Sequence, residues 1–249
     1  MAEQELRSAL AEDLDGLARL HDRELDAEVV AGLQAAGFPD GLALLPVGEA
    51  AELAYRGMGE AVGGLPPAGA GQDAAACFDA LAADFAAIYL TGAAGASPYE
   101  SVWVTEEHLA CQQPMFELRA LYAAAGVQVD DWRKRYDDHL VLQMQYLARQ
   151  LRAGATWDSL AGFLDEHLGY WFPDFARRVS ERAATPFYAA LAELSFVWLE
   201  RLRDLLADIA ALPRPPRDEI TARLRARHGA EAAQLAPVKF LPGAAGPSW

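Results

Sequence analysis

Apolar residues recur along nearly the whole of this sequence at spacings of three and four, and nowhere do β-branched residues alternate with polar ones over a strand's length. Such spacing lines one face of a 3.6-residue period and leaves no strand to pair, so it predicts an all-α protein. Leu6, Leu10, Leu14 and Leu17 define the first stripe. Asp26 caps a second helix through Val29, Val30 and Leu33, which Gly37 and Pro39 end. A weaker segment covers 49–58, and Val62 to Gly71 reads as a loop. Asp73 opens a helix whose face carries Phe78, Leu81, Phe85, Ile88 and Tyr89, stopping near Thr91-Gly92. Pro114 suits the first turn of a helix through Phe116, Leu118, Leu121 and Tyr122, closed by Gly126.

The second half repeats the pattern. Asp137 or Asp138 caps a strong helix carrying Leu140, Met144, Leu147 and Leu151, and Thr156 caps another through Leu160, Phe163, Leu164 and Leu168. Thr185-Pro186 starts a long helix running to Pro213, and 218–228 forms a short charged one. The expected architecture is a single helical bundle of about ten helices. It divides into an N-terminal lobe at 1–127, a hinge at 128–136, a C-terminal lobe at 137–235 and a flexible tail at 236–249. Gly and Pro gather at 57–71, 213–216 and 237–247, which read as connections and tail.

Charge narrows the partners. Lys and Arg number 21 against 36 Asp and Glu, a net charge of −15, which disfavours nucleic acid and anionic membrane and suits a cationic partner. No apolar run approaches the roughly 20 residues that span a bilayer, so stable membrane insertion is not expected. The start, Met1-Ala2-Glu3-Gln4-Glu5, lacks the basic and apolar regions of a secretory signal, which predicts a cytoplasmic location. Cys77 and Cys111 are too far apart for a CxxC site and are expected as small buried hydrophobes.

A metal or nucleotide site finds no support. None of the five histidines has Glu three residues before it, HExxH is absent, and Glu107-His108 and Glu166-His167 would diverge on a helix. Gly57-Met58-Gly59 lacks the third glycine of a dinucleotide turn, and no Gly-Lys-Ser/Thr occurs. Arg177-Arg178 reads as a helix surface. No cofactor and no metal ligand is expected.

Two segments stand apart: Ser97-Pro98-Tyr99-Glu100-Ser101-Val102-Trp103, and Tyr136-Asp137-Asp138-His139-Leu140 leading into Gln143-Met144-Gln145-Tyr146-Leu147. Taken singly, Asp138 is an ordinary helix cap, His139 a first-turn residue, and Tyr99 and Trp103 core aromatics. Together they resemble the two signature blocks of the TorD/DmsD family of molybdoenzyme maturation chaperones. Asp138, His139 and Leu140 match the second block, whereas Tyr136 stands for its proline, and Arg135 and Gln143 for its glutamates. Trp171, Pro173, Phe175, Phe187-Tyr188 and Leu191-Ala192-Glu193-Leu194 are similar to the family's C-terminal pattern, so the resemblance covers roughly 73–198.

The resemblance implies a chaperone without turnover. It would bind the twin-arginine signal peptide and apo form of a molybdoenzyme catalytic subunit and assist cofactor insertion before export, as a monomer or domain-swapped homodimer. A receptor for an arginine pair followed by an apolar helix needs an apolar groove with a carboxylate rim. Ile88, Tyr89, Tyr99 and Trp103 are assigned to the groove, Glu100 and Asp138 to the rim. Pro98, Ser101, Gln143 and His139 complete the site, with His139 expected to titrate near neutral pH. The two segments are therefore expected side by side. Two alternatives are an all-α enzyme with Asp138-His139 as general base and a nitrate-reductase-type assembly factor.

Overall fold

The computed structural model describes residues 2–67, 71–131 and 133–234, with side chains through 227. Eleven α-helices and no sheet occur among the described residues: α1 (Ala2–Asp22), α2 (Ala27–Ala35), α3 (Glu49–Gly63), α4 (Gln72–Phe85), α5 (Ser101–Val104), α6 (Gln113–Ala124), α7 (Leu140–Arg152), α8 (Trp157–Glu166), α9 (Leu168–Arg182), α10 (Pro186–Ala210) and α11 (Arg217–Gln234). A π-helical turn, Ala86–Leu90, continues α4. The all-α expectation holds.

The chain forms two compact units, Met1–Arg214 and Pro215–Trp249. In the first, α1 packs along α7, α9 along α10, α3 and α8 against α10, and α8 against α9. Leu10, Leu14 and Leu17 of α1 share one core with Leu140, Met144 and Leu147 of α7 and with Trp171, Phe172, Phe175, Tyr188 and Trp198. The stripes of both halves therefore close on each other across 128–136, where the sequence suggested a break between lobes. Buried ion pairing adds to this packing: Arg203 of α10 holds Asp165 of α8 through two bonds of 2.7 and 2.9 Å. Asp84 of α4 accepts the backbone N–H groups of Ala184 and Thr185, at 3.0 and 2.9 Å, and so caps the start of α10.

Several boundaries differ from expectation. The helix at 49–58 runs on to Gly63, through Gly57 and Gly59, because Tyr55, Met58 and Val62 are buried. That packing outweighs a cost of about 1 kcal/mol for each helical glycine. The single helix read through Leu168 is two, broken at His167, where φ is −127° and ψ −104°. The joint is tight: a Cβ on Gly169 would come 2.7 Å from the Leu164 carbonyl oxygen. Helix α11 is longer than the charged segment expected at 218–228. Cys77 and Cys111 are partly exposed rather than buried. The expected tail at 236–249, loop residues 68–70 and Trp132 lie outside the described residues.

Candidate functional site

The two signature segments meet. After the π-helical turn, Gly92 and Gly95 adopt φ of 66° and 67°, the left-handed region that favours glycine. Arg178 of α9 donates to the Gly95 carbonyl at 3.1 Å and anchors the returning loop. Tyr99 then pairs with His139 in an isolated antiparallel bridge. Leu140 N–H donates to the Pro98 carbonyl at 2.8 Å, and Glu100 N–H to the Asp138 carbonyl at 3.1 Å. The start of α7 thus supplies partners for backbone groups of the loop that would otherwise be orphaned.

Side chains complete the clasp. Asp138 Oδ2 accepts the Ser101 N–H at 2.9 Å, so it caps the short α5 and not α7. The cap of α7 is His139, whose Nδ1 accepts from Val141 N–H at 3.2 Å. Gln143 Nε2 donates to the Asp138 carbonyl at 3.0 Å, and Trp171 Nε1 donates to Gln143 Oε1 at 3.3 Å. Glu100 Oε1 lies 3.1 Å from His167 Nδ1. Trp103 Nε1 donates to the Ser97 carbonyl at 2.8 Å and closes the loop on itself.

Burial divides the residues assigned to the groove and the rim. Glu100, Ser101, Asp138, His139 and Gln143 are each at most 4% exposed, and Pro98 is buried as well. Ile88 and Tyr89 face the core, because the π turn directs them inward. Tyr89 Oη is 2.6 Å from His21 Nδ1, and His21 Nε2 is 2.9 Å from Ser195 Oγ. Only Tyr99 and Trp103 of the expected set are partly exposed. One oxygen of each of Glu100 and Asp138 is bonded inside the fold, to His167 and to Ser101 N–H, and neither side chain reaches the surface where a rim would lie.

The same burial sets the titration. Desolvation lifts the Asp138 carboxyl to about 6; hydrogen bonds from Ser101 oppose the rise and the nearby Glu100 charge adds to it. Desolvation pushes His139 down to about 3, with Arg135 and His21 acting in the same direction. His139 is therefore neutral near pH 7, contrary to the near-neutral titration expected. With Asp138 inaccessible and His139 used as a cap, the pair has no access to a substrate proton, which removes the general-base alternative.

Further residues at the junction carry no local sequence signal, since their partners are remote in the chain. Arg119 of α6 holds Asp137 at 2.8 Å, and Tyr122 Oη donates to the Asp137 carbonyl at 3.0 Å. Arg135 pairs with Asp22 at 2.5 Å. Tyr136, in the place of the family's proline, sets its ring 5.5 Å from that of Tyr99. Beside the junction lies a cavity of about 530 Å³ lined by Tyr122, Val129, Asp131, Arg135, Leu142 and Tyr146 among others. Among the described residues, no cluster of three or more His, Cys, Asp or Glu is arranged for a metal ion, and no helix is long and apolar enough to cross a membrane.

The sequence model described as nitrate reductase delta subunit matches residues 47–177, more than half of the 249 residues. That span runs from just before α3 into α9 and includes the whole junction. Curated relatives include the chaperone protein TorD of Vibrio cholerae serotype O1 (El Tor Inaba), 31% identical over 140 residues, or 52% of this chain and 63% of the relative. The chaperone protein TorD of Shewanella loihica is 32% identical over 127 residues, 48% of this chain and 59% of the relative. That of Vibrio parahaemolyticus is 30% identical over 125 residues, 46% and 58%. The matches thus span less than two thirds of the length of these relatives.

Proposed function

Because this chain belongs to the nitrate reductase delta subunit family, we propose that it is a maturation chaperone for a molybdenum-containing oxidoreductase. It acts by binding, not turnover, as the chaperone names of its relatives suggest. Its ligand is the twin-arginine signal peptide of the apo catalytic subunit, held in the cytoplasm while cofactor is inserted. The observation that carries this reading is the junction itself. Eight of the ten residues assigned to the site are buried and serve to hold a loop in one conformation. That loop offers Tyr99 and Trp103 at its surface.

Apolar contact for the peptide comes from Tyr99, Trp103 and the exposed Leu90, Leu109 and Phe116, which flank the loop in sequence. Attraction for its arginine pair comes from the net charge of −15 and from Glu106 and Glu107, exposed just after α5. Residues 128–136 are proposed as the hinge through which halves of two copies exchange, giving a monomer or a swapped homodimer. The description of the family as a nitrate reductase delta subunit favours a nitrate reductase client as a second reading.

Calorimetry with a synthetic peptide carrying an arginine pair before an apolar helix tests the proposal. Binding should weaken with added salt, since exposed charges are screened beyond about 8–10 Å at physiological ionic strength. It should fall several-fold in Trp103→Ala. Affinity indifferent to salt, to Trp103→Ala and to replacement of the arginines by glutamine would overturn it.

A further inference from the structure

The cavity beside the junction takes no part in the clasp. One wall is a single face of α7, where Leu142, Gln145, Tyr146 and Arg149 recur at three- and four-residue spacing. The 3.6-residue period sets that face opposite Leu140, Met144 and Leu147, which enter the core. Tyr122 of α6 and the chain that follows it, at 127–131, 134 and 135, complete the lining. The volume of about 530 Å³ lies within the roughly 300–1,000 Å³ of small-molecule sites.

Two properties of the lining define what fits. The first is apolar: the Tyr122 and Tyr146 rings lie 4.9 Å apart at 43°, and Val127, Val129 and Leu142 are only partly buried. The second is charge. Lys134 is paired with Asp131 at 3.4 Å, and Arg135 with Asp22 at 2.5 Å. Arg149 is exposed, and its guanidinium has no hydrogen bond or ion pair among the described residues. The lining therefore carries three cations against two carboxylates, Asp130 and Asp131, in a chain of net charge −15. Gln128 and Gln145, both exposed, add amides that donate and accept. One free guanidinium matches one carboxylate, to which it can offer two parallel donors. A polyphosphate would leave most of its charge unmet, because the other two cations already hold carboxylates.

We propose that this cavity binds a small aromatic carboxylate, its ring against Tyr146, Leu142 and Val129 and its charge on Arg149. The walls lead to the junction. Tyr122 Oη donates to the Asp137 carbonyl at 3.0 Å. Tyr146 is followed by Phe163 and then His167, with ring centres 5.0 and 5.4 Å apart, and His167 meets Glu100. A ligand here touches residues that hold the signature loop. The site stands whether or not the chain binds a signal peptide.

Calorimetry on the full chain with naphthoate tests the proposal, beside naphthamide, which has the same shape and no charge. One naphthoate per chain should bind, several-fold tighter than the amide, with a preference that shrinks as salt is added. Arg149→Gln should erase the preference and keep the residual apolar binding, whereas Arg149→Lys should retain part of it. Val129→Trp fills the cavity and should abolish binding of both compounds. No binding at millimolar naphthoate, equal affinities for acid and amide, or a preference that survives Arg149→Gln would overturn the site. So would unchanged binding in Val129→Trp. The wild-type comparison of acid with amide decides the matter even where Val129→Trp does not fold.

Discussion

His21 and His139 are the residues whose chemistry differs most from an ordinary surface histidine. Burial pushes each down to about 3. Their folded values lie below the unfolded one, so the stability they contribute is complete above about pH 6.5 and is lost as the pH falls toward 3. Asp138 has the opposite sign. Its folded value of about 6 exceeds the unfolded one, so stability rises as the pH drops through 6 toward the ordinary carboxylate value and is lost as the pH rises. Between about pH 6 and 4 the two histidines lose more than Asp138 gains, a net loss on the order of 1.4 kcal/mol per pH unit for these three groups. Asp13, its carboxyl also raised by burial, offsets that loss in part. Urea melts between about pH 7 and 5 should show that decline, and Asp138→Asn should steepen it. His139→Ala removes the α7 cap and should cost about 1 kcal/mol at neutral pH, with His139→Asn close to wild type, as thermal melts would show.

Joints between helices hold the next tier of information. At the α8–α9 break, a methyl on Gly169 would meet the Leu164 carbonyl oxygen at 2.7 Å. Backbone cannot swing aside as a side chain would, so Gly169→Ala should destabilise by about 1–3 kcal/mol, measurable by chemical denaturation. The same joint places His167 against Glu100, so the variant should also disturb Trp103 emission. Between α8 and α10, the Arg203 and Asp165 side chains are 5% and 9% exposed. Removing the acid leaves a buried, unpaired guanidinium. Asp165→Ala should cost about 3–5 kcal/mol, while a double replacement by apolar residues of similar volume should recover most of it.

Across the molecule, α1 from the first half packs along α7 from the second, and both feed the core that α9 and α10 complete. Cutting the chain within 128–136 should therefore leave the halves associated. An engineered protease site after Arg133 should yield two fragments that coelute and melt in one transition. Separation of the fragments would mean that the lobes are independent. Exchange of halves between copies would show as a dimer whose fraction depends on the refolding concentration.

Local chemistry made the helices legible: Leu10, Leu14 and Leu17 or Leu140, Met144 and Leu147 announce their faces by spacing alone, because a helix satisfies its backbone within itself. The pairing of the Tyr99 and Asp138-His139 segments could be anticipated because their residue types are out of place on an apolar stripe. What could not be read was which way each polar group points. Glu100 and Asp138 look like surface carboxylates in a chain of net charge −15, yet their burial depends on His167 and Ser101, whose positions are set by the α8–α9 break and the loop's return. Solvation of a side chain depends on everything packed around it, and most of that comes from residues far away in the chain. The periodicity of helices is local, while the dryness that turns a presumed rim into a clasp arises only when remote helices close over it.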